Sequence, residues 1–145
     1  DPSTIVNQYM KSINQLVQME PAKFDLKKFF KKTETAIDLE QVNEFNSKLS
    51  PESIISSDEH KISPDEVKAA LAKYKSTGKP GLGLIFIAEN LNKAKQTGSY
   101  YVVFFDQESR EIIDAKRYEQ KAVGIGFRNY WAGSVYNIMK IWLKG

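Results

Sequence analysis

Between residues 81 and 144 a nearly unbroken run of apolar and aromatic side chains is interrupted only by turn-forming segments, and no other feature restricts the possible folds as strongly. From 82 to 88 both alternating sets are apolar, with Leu82, Leu84, Phe86 and Ala88 set against Gly83, Ile85 and Ile87. That pattern predicts a strand covered on both faces and central in its sheet. A polar loop over 92–98 leads into a second strand of the same kind over 100–105. Residues 106–109 then read as a tight turn, and 111–118 return with more charge, which suits an edge strand. Trp131, Val135, Ile138, Met139 and Trp142 fall on one stripe of a closing helix.

The first half is helical in pattern. Ile5, Val6, Tyr9, Met10, Ile13, Leu16 and Val17 recur at helical spacing and predict a helix over 3–19, with Asp1, Pro2 and Ser3 suited to its first turn. Asp25 is placed to cap a short helix reaching Lys32, flanked by Phe24 and Phe29 at the two staple positions. Residues 33–38 lean towards β structure, and 39–48 are helical with Val42 and Phe45 inward. Ser63-Pro64-Asp65-Glu66 is a stronger signal: a capping serine, a proline at the first helical position, and a glutamate three residues after the cap. It opens a predicted helix over 64–76 that buries Val67, Ala70, Leu71 and Tyr74. Lys73 and Lys75 suit its negative end, and Gly78 with Pro80 terminates it.

The expected architecture is a single α+β domain over residues 1–145. It has a mixed or antiparallel sheet of about four or five strands, a C-terminal three-stranded meander, helices on both faces and a closing C-terminal helix. A chain of 145 residues, 41% hydrophobic and 27% charged, buries a core without disulfides or metal. Cysteine is absent, which excludes thiolate nucleophiles and Cys-built zinc sites. The net charge of +3 is too mild to demand a nucleic acid. No stretch reaches the roughly 18 consecutive apolar residues of a membrane span. A chain that begins at Asp1 rather than Met is expected to have lost an upstream segment, such as a leader.

The strand at 83–89, the Tyr100-Tyr101-Val102-Val103-Phe104-Phe105-Asp106 strand and the Gly-Ile-Gly-Phe-Arg-Asn-Tyr-Trp-Ala segment at 124–132 resemble a family of small exported proteins of Bacteroidetes-type bacteria. The resemblance covers about the C-terminal half. It implies an extracytoplasmic, envelope location, periplasmic or outer-membrane-associated, and no particular activity. More loosely, the order of elements is similar to the TolB N-terminal domain and related envelope lipoprotein domains, a likeness of topology from which function does not follow.

The segment from Val123 to Trp131 concentrates glycines, aromatics, an arginine and an asparagine, and it is the first candidate for recognition. In one reading Gly124 and Gly126 bend the chain out of the sheet while Phe127 and Trp131 anchor the helix. In the other, Arg128, Asn129, Tyr130 and Trp131 rim a site for an anionic or planar ligand. A likeness to the aromatic core of an RNA-recognition motif fails, because Val123 stands where a basic residue belongs and no final strand follows. Glu89 closes an apolar strand and either joins Asp106 and Arg128 in a charged cluster or emerges into solvent. His60 reads as a solvated loop residue. The lysines of 24–32, interleaved with Phe residues, either attract an anionic membrane or nucleic acid or form a solvated helix face. No nucleotide-binding, nucleophile-elbow or zinc-protease motif occurs, so no cofactor, metal or catalytic residue is assigned. The expected role is non-catalytic binding or assembly in the cell envelope, with another envelope protein or a small ligand as partner. A small hydrolase working through Glu89 and Asp106 is the alternative.

Overall fold

A computed structural model of the chain describes residues 2–56, 58–75 and 80–144. Two compact units emerge: a helical one, Asp1–Asp58 with Gln120–Gly145, and a sheet-containing one, Glu59–Glu119. Together they carry helices, a three-stranded antiparallel sheet and a C-terminal helix, an α+β fold.

In the helical unit, α1 (Pro2–Thr4) passes through a π-helical turn (Ile5–Tyr9) into α2 (Met10–Met19). The single helix expected over 3–19 is therefore one run with a widened turn, where the Met10 N–H donates to the Ile5 carbonyl. Val6 and Leu16 are buried. Of the Asp1-Pro2-Ser3 start, Asp1 lies outside the described residues. The next helix, α3 (Leu26–Phe30), starts as its sequence dictates: the Asp25 carboxylate accepts the Lys28 N–H at 3.2 Å, and Phe24 and Phe29 are both buried. It stops at Lys31, which adopts a left-handed conformation at φ +55°. Residues 33–38 form no strand, so their β propensity goes unused for want of a pairing partner. Then come α4 (Glu40–Ser47) and a 3₁₀ turn (Pro51–Ile54). An Asn14 to Asn43 side-chain hydrogen bond of 3.1 Å ties α4 to α2.

The sheet unit opens with α5 (Pro64–Ala72), whose capping box is complete. The Glu66 N–H reaches the Ser63 hydroxyl and the Glu66 carboxylate accepts the Ser63 N–H, each at 3.2 Å. This helix ends four residues earlier than expected, and the predicted terminator Gly78 lies outside the described residues. Three strands follow, β1 (Leu82–Asn92), β2 (Thr97–Asp106) and β3 (Ile112–Lys121), in the order β1-β2-β3. The strand expected to be central, β1, is an edge and β2 is central. Two apolar faces report what covers a strand above and below, and carry no information about its hydrogen-bonded flanks. The sheet holds three described strands rather than four or five, since 33–38 does not join it.

Register pairs Gly83 with Phe105, Ile85 with Val103 and Ile87 with Tyr101 on one face, and Leu84 with Phe104 and Phe86 with Val102 on the other. On the first face Val67 and Leu71 of α5 bury Val103, with Ile62, Ile85, Ile87 and Phe105 packed around them. Gly83 has no side chain for a direct reason: a Cβ there would lie 2.3 Å from the Phe105 ring. On the second face Tyr100 and Val102 are buried.

The chain closes in the helical unit with α6 (Phe127–Met139) and α7 (Ile141–Lys144). Trp131, Val135, Ile138 and Met139 of α6 are buried as the stripe predicts, and α6 packs on α2. Trp142 belongs to α7, where its ring tilts against Phe30 at 5.0 Å.

Candidate functional site

Two places in the molecule hold polar or apolar groups in arrangements that packing alone does not require. The first is the loop that leads into α6. Gly124 takes φ +136°, and a Cβ there would fall 2.8 Å from the Asn129 carbonyl oxygen, so the loop doubles back against the first turn of the helix. The Val123 N–H donates to the Tyr130 carbonyl at 3.2 Å, the Tyr130 N–H to the Gly126 carbonyl at 2.9 Å, and the Asn129 amide to the Ile125 carbonyl at 3.0 Å. Further along the helix Gly133 leaves room for the same strap, because a Cβ there would stand 2.1 Å from the Val123 carbonyl oxygen. Below the loop, Phe127 stacks on Tyr9 at 4.5 Å and Trp131 is buried.

The glycines and large rings are thus packing devices, as the first of the two sequence readings holds. What they present outward is different. Ile125 is 91% exposed and Val123 is 56% exposed. Arg128 is exposed, and among the described residues its side chain makes no hydrogen bond or ion pair. Of the four residues named from this segment, Arg128 and Asn129 face solvent, Tyr130 is half-buried with its ring edge-on to Trp131 at 4.9 Å, and Trp131 is core. The exposed aliphatics at 123 and 125 have no periodicity to reveal them in sequence, since only their tertiary context exposes them.

The second place is Glu89, in the sheet unit. It interrupts the β1–β2 register, which passes from Ala88 opposite Tyr100 to Asn90 opposite Ser99, so Glu89 is the extra residue of a bulge. Its side chain is 1% exposed. Arg117 Nε donates to its Oε1 at 2.6 Å, the Ile62 N–H donates to its Oε2 at 3.1 Å, and the ring of His60 donates from Nδ1 to its main-chain carbonyl at 2.9 Å. Burial pushes the Glu89 carboxyl upward, but the Ile62 amide, the Arg117 guanidinium and the Ser99 hydroxyl outweigh it and hold the group below its ordinary value.

The two sequence alternatives for Glu89, solvent or a cluster with Asp106 and Arg128, are both replaced by a buried pair with Arg117. Parity explains the first error: the strand's apolar face continues through Ile85 and Ile87 to position 89, so the carboxylate points under residues 60–62 rather than outward. Asp106 is occupied in its turn, accepting the Ser109 N–H at 2.8 Å, which lowers its pKa. His60 is exposed as expected, yet it satisfies the carbonyl that the bulge leaves out of the ladder.

Chemically, the Glu89 site is a structural clamp. Both carboxyls of the hydrolase alternative are held towards ionisation, which equips neither as a general acid near neutrality. Among the described residues no group of three His, Asp or Glu side chains is gathered to hold a metal ion. No helix of the described residues is long and apolar enough to cross a membrane. No protein-family model matches this chain, and no curated protein or solved structure is significantly similar to it.

Proposed function

We propose that this protein is a non-catalytic binding domain that docks a protein partner on the loop over residues 123–126 and the first turn of α6. The observation that carries the reading is Ile125. A branched aliphatic side chain is held 91% exposed on a loop braced by three hydrogen bonds. Such bracing lowers the ordering cost of association, and the adjacent exposed Arg128 supplies a planar donor fork for a carboxylate or carbonyl. The resemblance of the C-terminal half to small exported proteins supports a bacterial-envelope setting and another envelope protein as partner.

The experiment compares Ile125→Asp and Arg128→Ala with the wild-type protein in capture from envelope extract, alongside thermal melts. Ile125 is almost wholly exposed and the Arg128 side chain is exposed with no ion pair among the described residues, so both melts are expected within about 0.5 kcal/mol of wild type. Loss of the same captured protein from both variants supports the reading. Unchanged capture by both sinks it.

A further inference from the structure

We infer that the helical unit carries a second surface, a lysine patch around Tyr136, that docks on an anionic lipid bilayer. The patch is built by two parts of the chain that are far apart in sequence. Lys23 Nζ lies 5.0 Å from the Tyr136 ring centroid and 5.6 Å from that of Phe24, and Lys140 Nζ lies 5.0 Å from the same Tyr136 ring. Phe24 and Phe29 meet Tyr136 edge-on at 5.8 and 6.0 Å, which roots the ring in the core and fixes where the two ammonium groups stand. Lys27 and Lys28 of α3, followed by Lys31 and Lys32, extend the same basic segment. All six lysines are exposed, and among the described residues none forms an ion pair.

Residues 20–34 carry five lysines against three acids, Glu20, Asp25 and Glu34, and with Lys140 this region holds a local charge of +3, the whole net charge of the chain, so the positive field is local. Asp25 keeps its charge while its carboxylate accepts the Lys28 N–H at the start of α3, and the lysines outnumber it and its neighbours.

The chemistry of the patch favours a bilayer over other anions. Its cations are all lysines, compact point charges that need no fixed geometry, whereas directional phosphate recognition usually draws on arginine forks. Its fully buried rings, Phe24 and Phe29, have no face free to stack on a nucleic-acid base. Phe30, which lies among these lysines in sequence, pairs with Trp142 at 5.0 Å, and both rings are half-buried, an amphipathic aromatic surface of the kind that favours the headgroup zone.

Vesicle sedimentation tests the assignment with the intact protein. Probes are phosphatidylcholine vesicles with and without about 30 mol% phosphatidylserine, a composition whose surface potential attracts basic segments by roughly fivefold per lysine. The wild-type protein is expected to sediment with the anionic vesicles only, and to be released when salt shortens the screening length from about 10 Å towards 3 Å. The triple variant Lys27→Gln, Lys28→Gln, Lys31→Gln should lose roughly 100-fold in partitioning, with an unchanged melt. A second triple variant of equal charge, Lys61→Gln, Lys93→Gln, Lys116→Gln, should bind as wild type. An equal loss in both triples would reduce the effect to net charge and overturn the patch. Absence of vesicle binding would overturn it too, as would preferential binding of a single-stranded oligonucleotide in competition with the vesicles.

Discussion

Replacing Arg117 by Ala tests the account of the Glu89 clamp. Glu89 is 1% exposed at its side chain, so its charge has no direct recourse to water once the guanidinium is gone. Removing one partner of a buried pair costs about 3–5 kcal/mol where nothing else compensates. Here the Arg117 side chain is 33% exposed, which weakens the pair through solvent screening, and the carboxylate keeps the Ile62 N–H. The expected loss is therefore about 2–3 kcal/mol near neutral pH, read as a shift in the urea midpoint at unchanged m-value. The pH dependence distinguishes this cause from mere loss of packing. The folded-state pKa of Glu89 lies below its unfolded value of 4.5, so its contribution is fully present above pH 4.5 and is lost as pH falls through the folded pKa. Without Arg117 the desolvation that raises the pKa is opposed by less, and the acid dependence flattens. The gap between wild type and variant should narrow steadily below pH 4.5. A loss under about 1 kcal/mol at neutral pH, or a gap unchanged in acid, would refute the clamp.

Other substitutions probe separate elements. Gly133→Ala sets a methyl against the Val123 carbonyl oxygen, and overpacking of about 3 kcal/mol less about 1 gained in helix propensity predicts a net loss of about 2 in chemical denaturation. An increase in stability would show that the loop is not strapped to α6. Ser63→Ala removes the capping hydroxyl of α5 and should cost about 1 kcal/mol, so a superimposable melting curve would contradict the capping box. His60→Ala leaves the Glu89 carbonyl at the bulge without its donor; the expected loss is about 1 kcal/mol, and faster amide exchange at Ile62 than in wild type should accompany it.

The parts of this protein legible in the chain are those decided by near neighbours. The α5 capping box lies within four consecutive residues, and Ser63 with Glu66 meets as the spacing requires. The Asp25 cap, the strands around Phe86 and Val103 and the buried stripe of α6 follow from periods of 2 and 3.6, which any chain must obey. Residues 33–38 mark the limit of such reasoning, since β propensity makes a strand only where an edge is offered. The same limit put β1 in the centre of the sheet, for side-chain alternation says nothing of the flanks.

At the candidate sites the balance tips further towards tertiary structure. The glycines of the α6 loop were visible as bends, yet the close approach of Val123 to Gly133, and with it the exposure of Ile125, exists only once the loop lies along the helix. Nothing in the sequence around Arg117 marks it as a site residue. It finds Glu89 across 28 residues of chain because alternation along β1 carries one carboxylate onto the covered face beside Ile85 and Ile87, where the cost of an unpaired charge is large enough to select its partner.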